Sequence, residues 1–413
     1  MRLQFWTAVL AMLILPAAGC SAGEVSPPAT GPGAPPAIIA LGPTGSPTVT
    51  AGTPTSSPTA TRTPTPTPTS TPSPSPSPTT TPTLTPTRTP SPTPQPVLRQ
   101  LTSGGCCTRP FFSPDSHTVL FIDKPSETSP PGVYGLDLTT FQSPAETAPQ
   151  LVYETIGFRS PDHLVVAFPD PEDEQLMRFI NEDSGESWTV NTLGNWPVFS
   201  QDGRWIFWNA TDRRGPYDQQ PADVWVSRVD GSDARKLLTI YGGSANGWFA
   251  DNEHILVTGR EERIGQDETM FVFSLADGSR VELARENRLR GGLVSPDGAR
   301  VVYLTTFTGD VEKDGLWVVR SDGSEPRKLP FYGPHYWLDD EYLIYIPTRA
   351  SRDEALALWK INVETGQEVR LTDPAAIPLS IEAGDWRVSP DGQKVVFVSA
   401  VDHNLWLVIL PRD

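Results

Sequence analysis

Across residues 97–413 short apolar runs alternate with polar turns, and one phrase recurs: two apolar residues, Ser-Pro-Asp-Gly, a polar residue, then an apolar run. The clearest copies occupy residues 294–303 and 388–397, and diverged copies begin at Ser113, Ser160, Ser200, Ala250 and Leu338. The successive spacings are 47, 40, 50, 45, 43 and 51 residues. A recurrence of that length marks a repeat architecture, in which each unit buries its apolar face only against its neighbours. A second regularity follows each phrase: an apolar run such as Val224-Trp225-Val226, a turn such as Asp230-Gly231-Ser232, then a run such as Arg235-Lys236-Leu237-Leu238-Thr239. Residues 316–329 and 358–372 repeat it. Asp-Gly between alternating runs predicts a hairpin, because the tight turn requires positive φ. Each unit therefore reads as four antiparallel strands.

These phrases resemble the WD-like repeats of the TolB-type β-propellers, a family related to the propeller halves of prolyl oligopeptidases. The resemblance covers residues 97–413 and implies an all-β, seven-bladed β-propeller of four-stranded antiparallel blades, with a six-bladed ring as the alternative. In such blades the Ser-Pro-Asp-Gly turn joins the innermost strand to the next, so its aspartates are expected to be turn residues rather than a catalytic or metal series. The last unit stops after its third strand, at residues 405–410, and residues 97–102 match the fourth-strand phrase. An amino-terminal strand completing the last blade is the expected closure, since it hides sheet edges that would otherwise aggregate.

Residues 1–20 carry Arg2, an apolar run from Leu3 to Leu15, and small residues before Cys20, the pattern of a secretory signal. Ala17, Ala18, Gly19 and Cys20 resemble the lipobox of bacterial lipoproteins, which implies lipidation of Cys20 and attachment to the outer face of a bacterial membrane; a plain signal peptide is the alternative. Residues 21–96 are rich in Pro, Thr and Ser and hold, with the signal, 23 of the 45 prolines. Such a segment has no means of building a core and is expected to be a disordered, extended stalk.

The whole chain carries a formal net charge of −17, and setting aside Arg2, Arg62, Arg88 and Glu24 leaves 29 basic against 48 acidic residues for 97–413, a net of −19. An acidic body without a basic face argues against nucleic acid as a partner.

The chemistry expected of the propeller lies on its loops. Links between neighbouring blades and second-to-third-strand loops share one rim, here rich in Asp, Glu, Arg, Pro and Gly, which suits a protein, peptide or glycan. Trp196, Trp248, Trp337 and Trp386 stand at or near innermost strands. Two readings stay open for them: faces that grip a sugar or an apolar side chain at the channel mouth, or wedges between blades, the latter preferred. His335 and His403 lie near the rim; some related propellers are lyases that bind a metal through histidine, so the pair is noted without a catalytic assignment. Adjacent Cys106 and Cys107 in the first rim loop are candidates for a vicinal disulfide, with free thiols or bridges between chains as alternatives. The function expected is a lipid-anchored, extracytoplasmic binding platform for an envelope or extracellular partner, monomeric, without cofactor, metal or catalysis. The competing expectation is an envelope enzyme acting on polysaccharide or peptide at the channel mouth.

Overall fold

A computed structural model describes residues 95–264, 267–348 and 356–411, all within the compact unit Thr87–Asp413. Cys20 and the Pro/Thr-rich segment to residue 94 lie outside the described residues. Among the described residues, apart from one 3-10 turn, Tyr217–Gln219, the regular elements are β-strands, and every strand pairing is antiparallel.

The strands form a β-propeller. Its first sheet comprises Thr108–Phe112, Thr118–Asp123, Gly132–Asp137 and Gln150–Tyr153, and its second Phe158–Arg159, Val165–Pro169, Leu176–Asn181 and Ser187–Asn191. Two later four-stranded sheets start at Leu289–Val294 and His335–Trp337. The last sheet orders Ile381–Val388, Lys394–Ser399 and Leu405–Ile409, with Val97–Gln100 on its outer edge.

Seven separate four-stranded sheets, and equally the alternative of six, are not what the chain builds. Among the described residues five sheets have four strands, and the units beginning at Ser200 and Ala250 share one sheet of seven. The cause is the strand Arg235–Trp248, which stays extended for 14 residues where a link between units was expected. Its first part pairs with Pro221–Arg228 and its last part with His254–Arg260, across an irregularity between Tyr241 and Ser244. Glycine makes this crossing possible: a β carbon at Gly243 would stand 1.9 Å from Thr258 O.

The repeated phrase folds the same way wherever serine is kept. Ser113, Ser160, Ser200, Ser295 and Ser389 each donate Oγ–H to the aspartate two residues on, at 2.5–2.6 Å. The same Oγ accepts the backbone N–H five residues on, at 2.9 Å in every copy. Each aspartate accepts a further N–H that closes the turn. Where serine is lost, the aspartate still serves: Asp251 Oδ1 takes the N–H of Glu253 and His254, and Asp339 Oδ1 that of Glu341 and Tyr342. Each of these carboxylates shapes its turn through Oδ1, the turn role that the sequence suggested.

The core is a series of apolar seams between neighbouring sheets rather than one central mass. Leu101, Phe112, Phe121 and Leu136 near the front of the chain pack with Val396, Val398, Leu405 and Leu407 of the last sheet. Ile344 and Leu358 pack with Trp386, Val395 and Val408 at the next seam.

Replacing Ser295 by Ala removes a hydroxyl that is fully buried and bonded twice, leaving Arg300 N–H without its acceptor. Ser295→Ala is expected to lower unfolding free energy by about 1–3 kcal/mol, and Ser324→Ala at an exposed turn by less. Denaturant midpoints of the two variants check this; equal losses would contradict the role given to the turn.

Candidate functional site

Hairpin topology sorts the connections onto two ends of the propeller. Turns from first to second and third to fourth strands fall at one end. Second-to-third turns and the links between successive units fall at the other, which forms the rim. Hydrogen bonds join the two kinds of rim segment: Cys106 N–H to His403 O at 2.8 Å, Gly242 N–H to Gln220 O at 3.0 Å, and Thr348 N–H to Tyr332 O at 2.7 Å.

The rim is anchored firmly where the two ends of the ring meet. Leu405 N–H donates to Thr102 Oγ1 at 2.8 Å, and Gly105 N–H to Asn404 Oδ1 at 3.0 Å. Between these contacts Cys106 and Cys107 are joined by a disulfide across a cis peptide bond, both half-buried against the closing seam. In the facing turn, burial opposes ionisation of Asp402, but hydrogen bonds from Asn404, Ser399 and Trp406 overcome it and bring the carboxyl down to about 2.

His335 and His403 take different partners. His335 Nδ1 sits 3.0 Å from Gly333 O, its ring lies edge-on to Phe331 at 6.0 Å, and burial lowers its pKa. His403 lends its carbonyl to Cys106. Among the described residues no group of three His, Cys, Asp or Glu side chains is arranged to hold a metal ion.

The four tryptophans touch a common feature. Trp248 Nε1–H donates to Val198 O at 3.0 Å, and Trp337 Nε1–H to Leu293 O at 3.1 Å. Trp196 lies 4.8 Å from the ring of Phe158, and Trp386 stands edge-on to Tyr336 at 4.7 Å. Each contacted residue lies two positions before the turn of the preceding unit, on its innermost strand or just inside it. Trp248 and Trp386 are 5% and 1% exposed. Their faces are consumed by packing between units. Trp196 and Trp337 are half-buried and make the same kind of contact.

Other rim residues went unmarked in the sequence. Glu268 is 2% exposed, with Arg290 at 3.2 Å and Arg260 at 3.8 Å. Burial raises its pKa even though both arginines pull the other way. Arg260 also donates to Asp218 O at 3.1 Å, and the Arg290 guanidinium lies 5.8 Å from the ring of exposed Tyr217. Residues 217, 260, 268 and 290 belong to four different elements, so nothing in their spacing announces the cluster. At the inner strands, Asp385 Oδ2 accepts Thr108 Oγ1–H at 3.0 Å and links the last sheet to the first.

No family model matches the chain. The Tol-Pal system protein TolB of Anaeromyxobacter dehalogenans (strain 2CP-C) is 38% identical over 82 residues, covering 20% of this chain. The match spans only 18% of that protein. Among solved structures, an oligogalacturonate lyase in complex with manganese superposes with a TM-score of 0.53 at 14% identity, over 78% of this chain and 98% of that one. An oligogalacturonate lyase from Vibrio parahaemolyticus gives 0.53 at 12% identity, with the same coverage. At such identities the likeness is one of fold. Repeat phrase and fold together are those of a TolB-like, WD-repeat-like β-propeller.

Trp248→Phe keeps the apolar ring but loses the bond to Val198 O, and is expected to cost about 1 kcal/mol of stability. Its thermal midpoint against the parent checks this; no loss would contradict the stapling role. The Asp402 pKa is depressed below its unfolded value of about 4, so its stabilising contribution is complete above that pH and is lost as pH falls toward about 2. Asp402→Asn is expected to flatten the pH dependence of the unfolding midpoint between about pH 4 and the folded value, as followed by circular dichroism.

Proposed function

We propose that this TolB-like β-propeller is a non-catalytic binding platform, lipid-anchored through Cys20 to the outer face of a bacterial membrane and presenting its rim to an envelope or extracellular partner. One observation carries the reading. At three places on the rim a link between units is hydrogen-bonded to a second-to-third turn, leaving exposed side chains on braced backbone, while Trp248, Trp337 and the repeat aspartates are employed in packing and turns. A surface of that kind keeps its shape on binding, which lowers the ordering cost of association. In this reading the Cys106–Cys107 disulfide is a rigid rim element rather than a redox centre, Trp196 contributes an edge to the rim, Trp337 is a wedge between units, and His335 and His403 serve as supports of the rim. The likeness to TolB and the signal-like first 20 residues support an extracytoplasmic location. Action on polysaccharide draws only on the fold likeness to lyases and is not adopted.

The test uses the full-length protein in its native membrane, with a photo-crosslinking amino acid in place of Tyr217, Tyr332 or Asp277. Tyr217 and Tyr332 are 62% and 51% exposed on the rim, and Asp277 is at the opposite end. The expected result is a defined adduct from the two rim positions, none from position 277, and release of the protein from the membrane fraction by Cys20→Ser. Adducts only from position 277, or none anywhere, would overturn the platform.

A further inference from the structure

A hollow of about 390 Å³ opens on the rim between the sheet starting at Leu289–Val294 and the one starting at His335–Trp337. Its floor is apolar: Leu329 and Phe331 are 4% and 8% exposed, and Phe331 stacks on Tyr345 at 3.7 Å. Two aromatic rings stand at its mouth, Phe307 at 70% and Tyr332 at 51% exposure. Large exposed aromatics around an apolar floor mark interaction sites rather than ordinary surface.

Phe307 adopts φ 56, in the left-handed region that a bulky residue enters only when its surroundings impose it. The imposing structure is visible. Asp314 Oδ1 accepts both the N–H and the Oγ1–H of Thr308, at 3.0 and 2.8 Å, and Lys328 Nζ donates to the carbonyls of Val311 and Glu312 at 2.8 and 3.1 Å. The loop thus holds a phenyl ring in water at a conformational cost.

Those same bonds decide what the hollow accepts. Asp314 Oδ1 and Lys328 are engaged in building the loop, so the hollow's main offer is apolar contact, which suits a hydrocarbon side chain better than the hydroxyls of a sugar. The exposed loop that leaves the hollow at Phe307 and returns to it at Asp314 forms its lip and adds charge: Asp310 and Glu312 carry it, and Lys313 is paired with Glu286 at 2.7 Å. An acidic lip over an apolar floor complements an apolar side chain flanked by lysine or arginine.

We infer that this hollow is the anchor site of the rim, receiving an apolar or aromatic side chain that a protein partner presents between basic residues. The inference rests on the platform reading and adds to it the place and chemistry of contact.

The test titrates the full-length protein with two fluorescein-labelled peptides, Gly-Lys-Phe-Lys-Gly and Gly-Lys-Ala-Lys-Gly, followed by anisotropy. The phenylalanine peptide is expected to bind at least about tenfold more tightly, as burial of an aromatic side chain implies. Phe307→Asn, which tolerates the left-handed backbone, and Tyr332→Ala are each expected to erase that preference while the unfolding midpoint stays within a few degrees of the parent. Equal binding of the two peptides, a preference that survives both substitutions, or displacement of the phenylalanine peptide by maltohexaose would each overturn the anchor site. None of these would disturb the crosslinking result at Tyr217, so loss of the anchor and loss of the platform are separate outcomes.

Discussion

A ring of sheets holds its shape only if its two ends meet, and here they meet through four residues. Val97, Leu98, Arg99 and Gln100 pair with Ile409, Val408, Leu407 and Trp406, so the first of the described strands becomes the outermost strand of the last sheet. Backbone hydrogen bonding alone would make a weak clasp, because each bond only replaces one made with water. The clasp is reinforced by the apolar seam beneath it, where Leu101 and Leu405 are fully buried beside Phe112 and Leu407. Its energy therefore comes mainly from area removed from water, and its register from the ladder.

That closure also fixes the rim. The chain passes directly from the clasp strand into the segment bearing Thr102, Gly105 and Cys106, each of which is bonded to the turn at residues 403–405. A loop that would ordinarily wander is thereby pinned at both sides, and the depressed pKa of Asp402 reports how completely that turn is hydrogen-bonded. Farther around, the unbroken strand Arg235–Trp248 welds two units into a single seven-stranded sheet, so this part of the rim is braced by ladder bonds where other units rely on links. The rim thus rests on two different kinds of stiffness.

Much of this was legible in the chain. Ser-Pro-Asp-Gly gave its turns away because a short hydroxyl, a short carboxylate and glycine perform local chemistry that depends on no distant neighbour, and each surviving copy makes the same bonds. The clasp was legible too, since residues 97–102 repeat a phrase missing from the tail. The welded sheet was not: Gly242 and Gly243 read as a link, and only the approach of Thr258 shows that the same glycines let an extended strand pass.

For the site the division is sharper. Spacing placed tryptophans near the inner strands but left open whether their faces meet solvent or the next unit, because that depends on the carbonyl of Val198 or Leu293, some 44 to 50 residues away. Glu268 between two arginines, and Phe307 opposite Tyr332, were invisible for the same reason. Local hydrogen bonding and hydrophobic period are properties of neighbouring residues, and by themselves they determined the repeat, its strands and its turns. Burial, charge pairing and the shape of a hollow arise between units far apart in the chain, so only the closed ring could decide them.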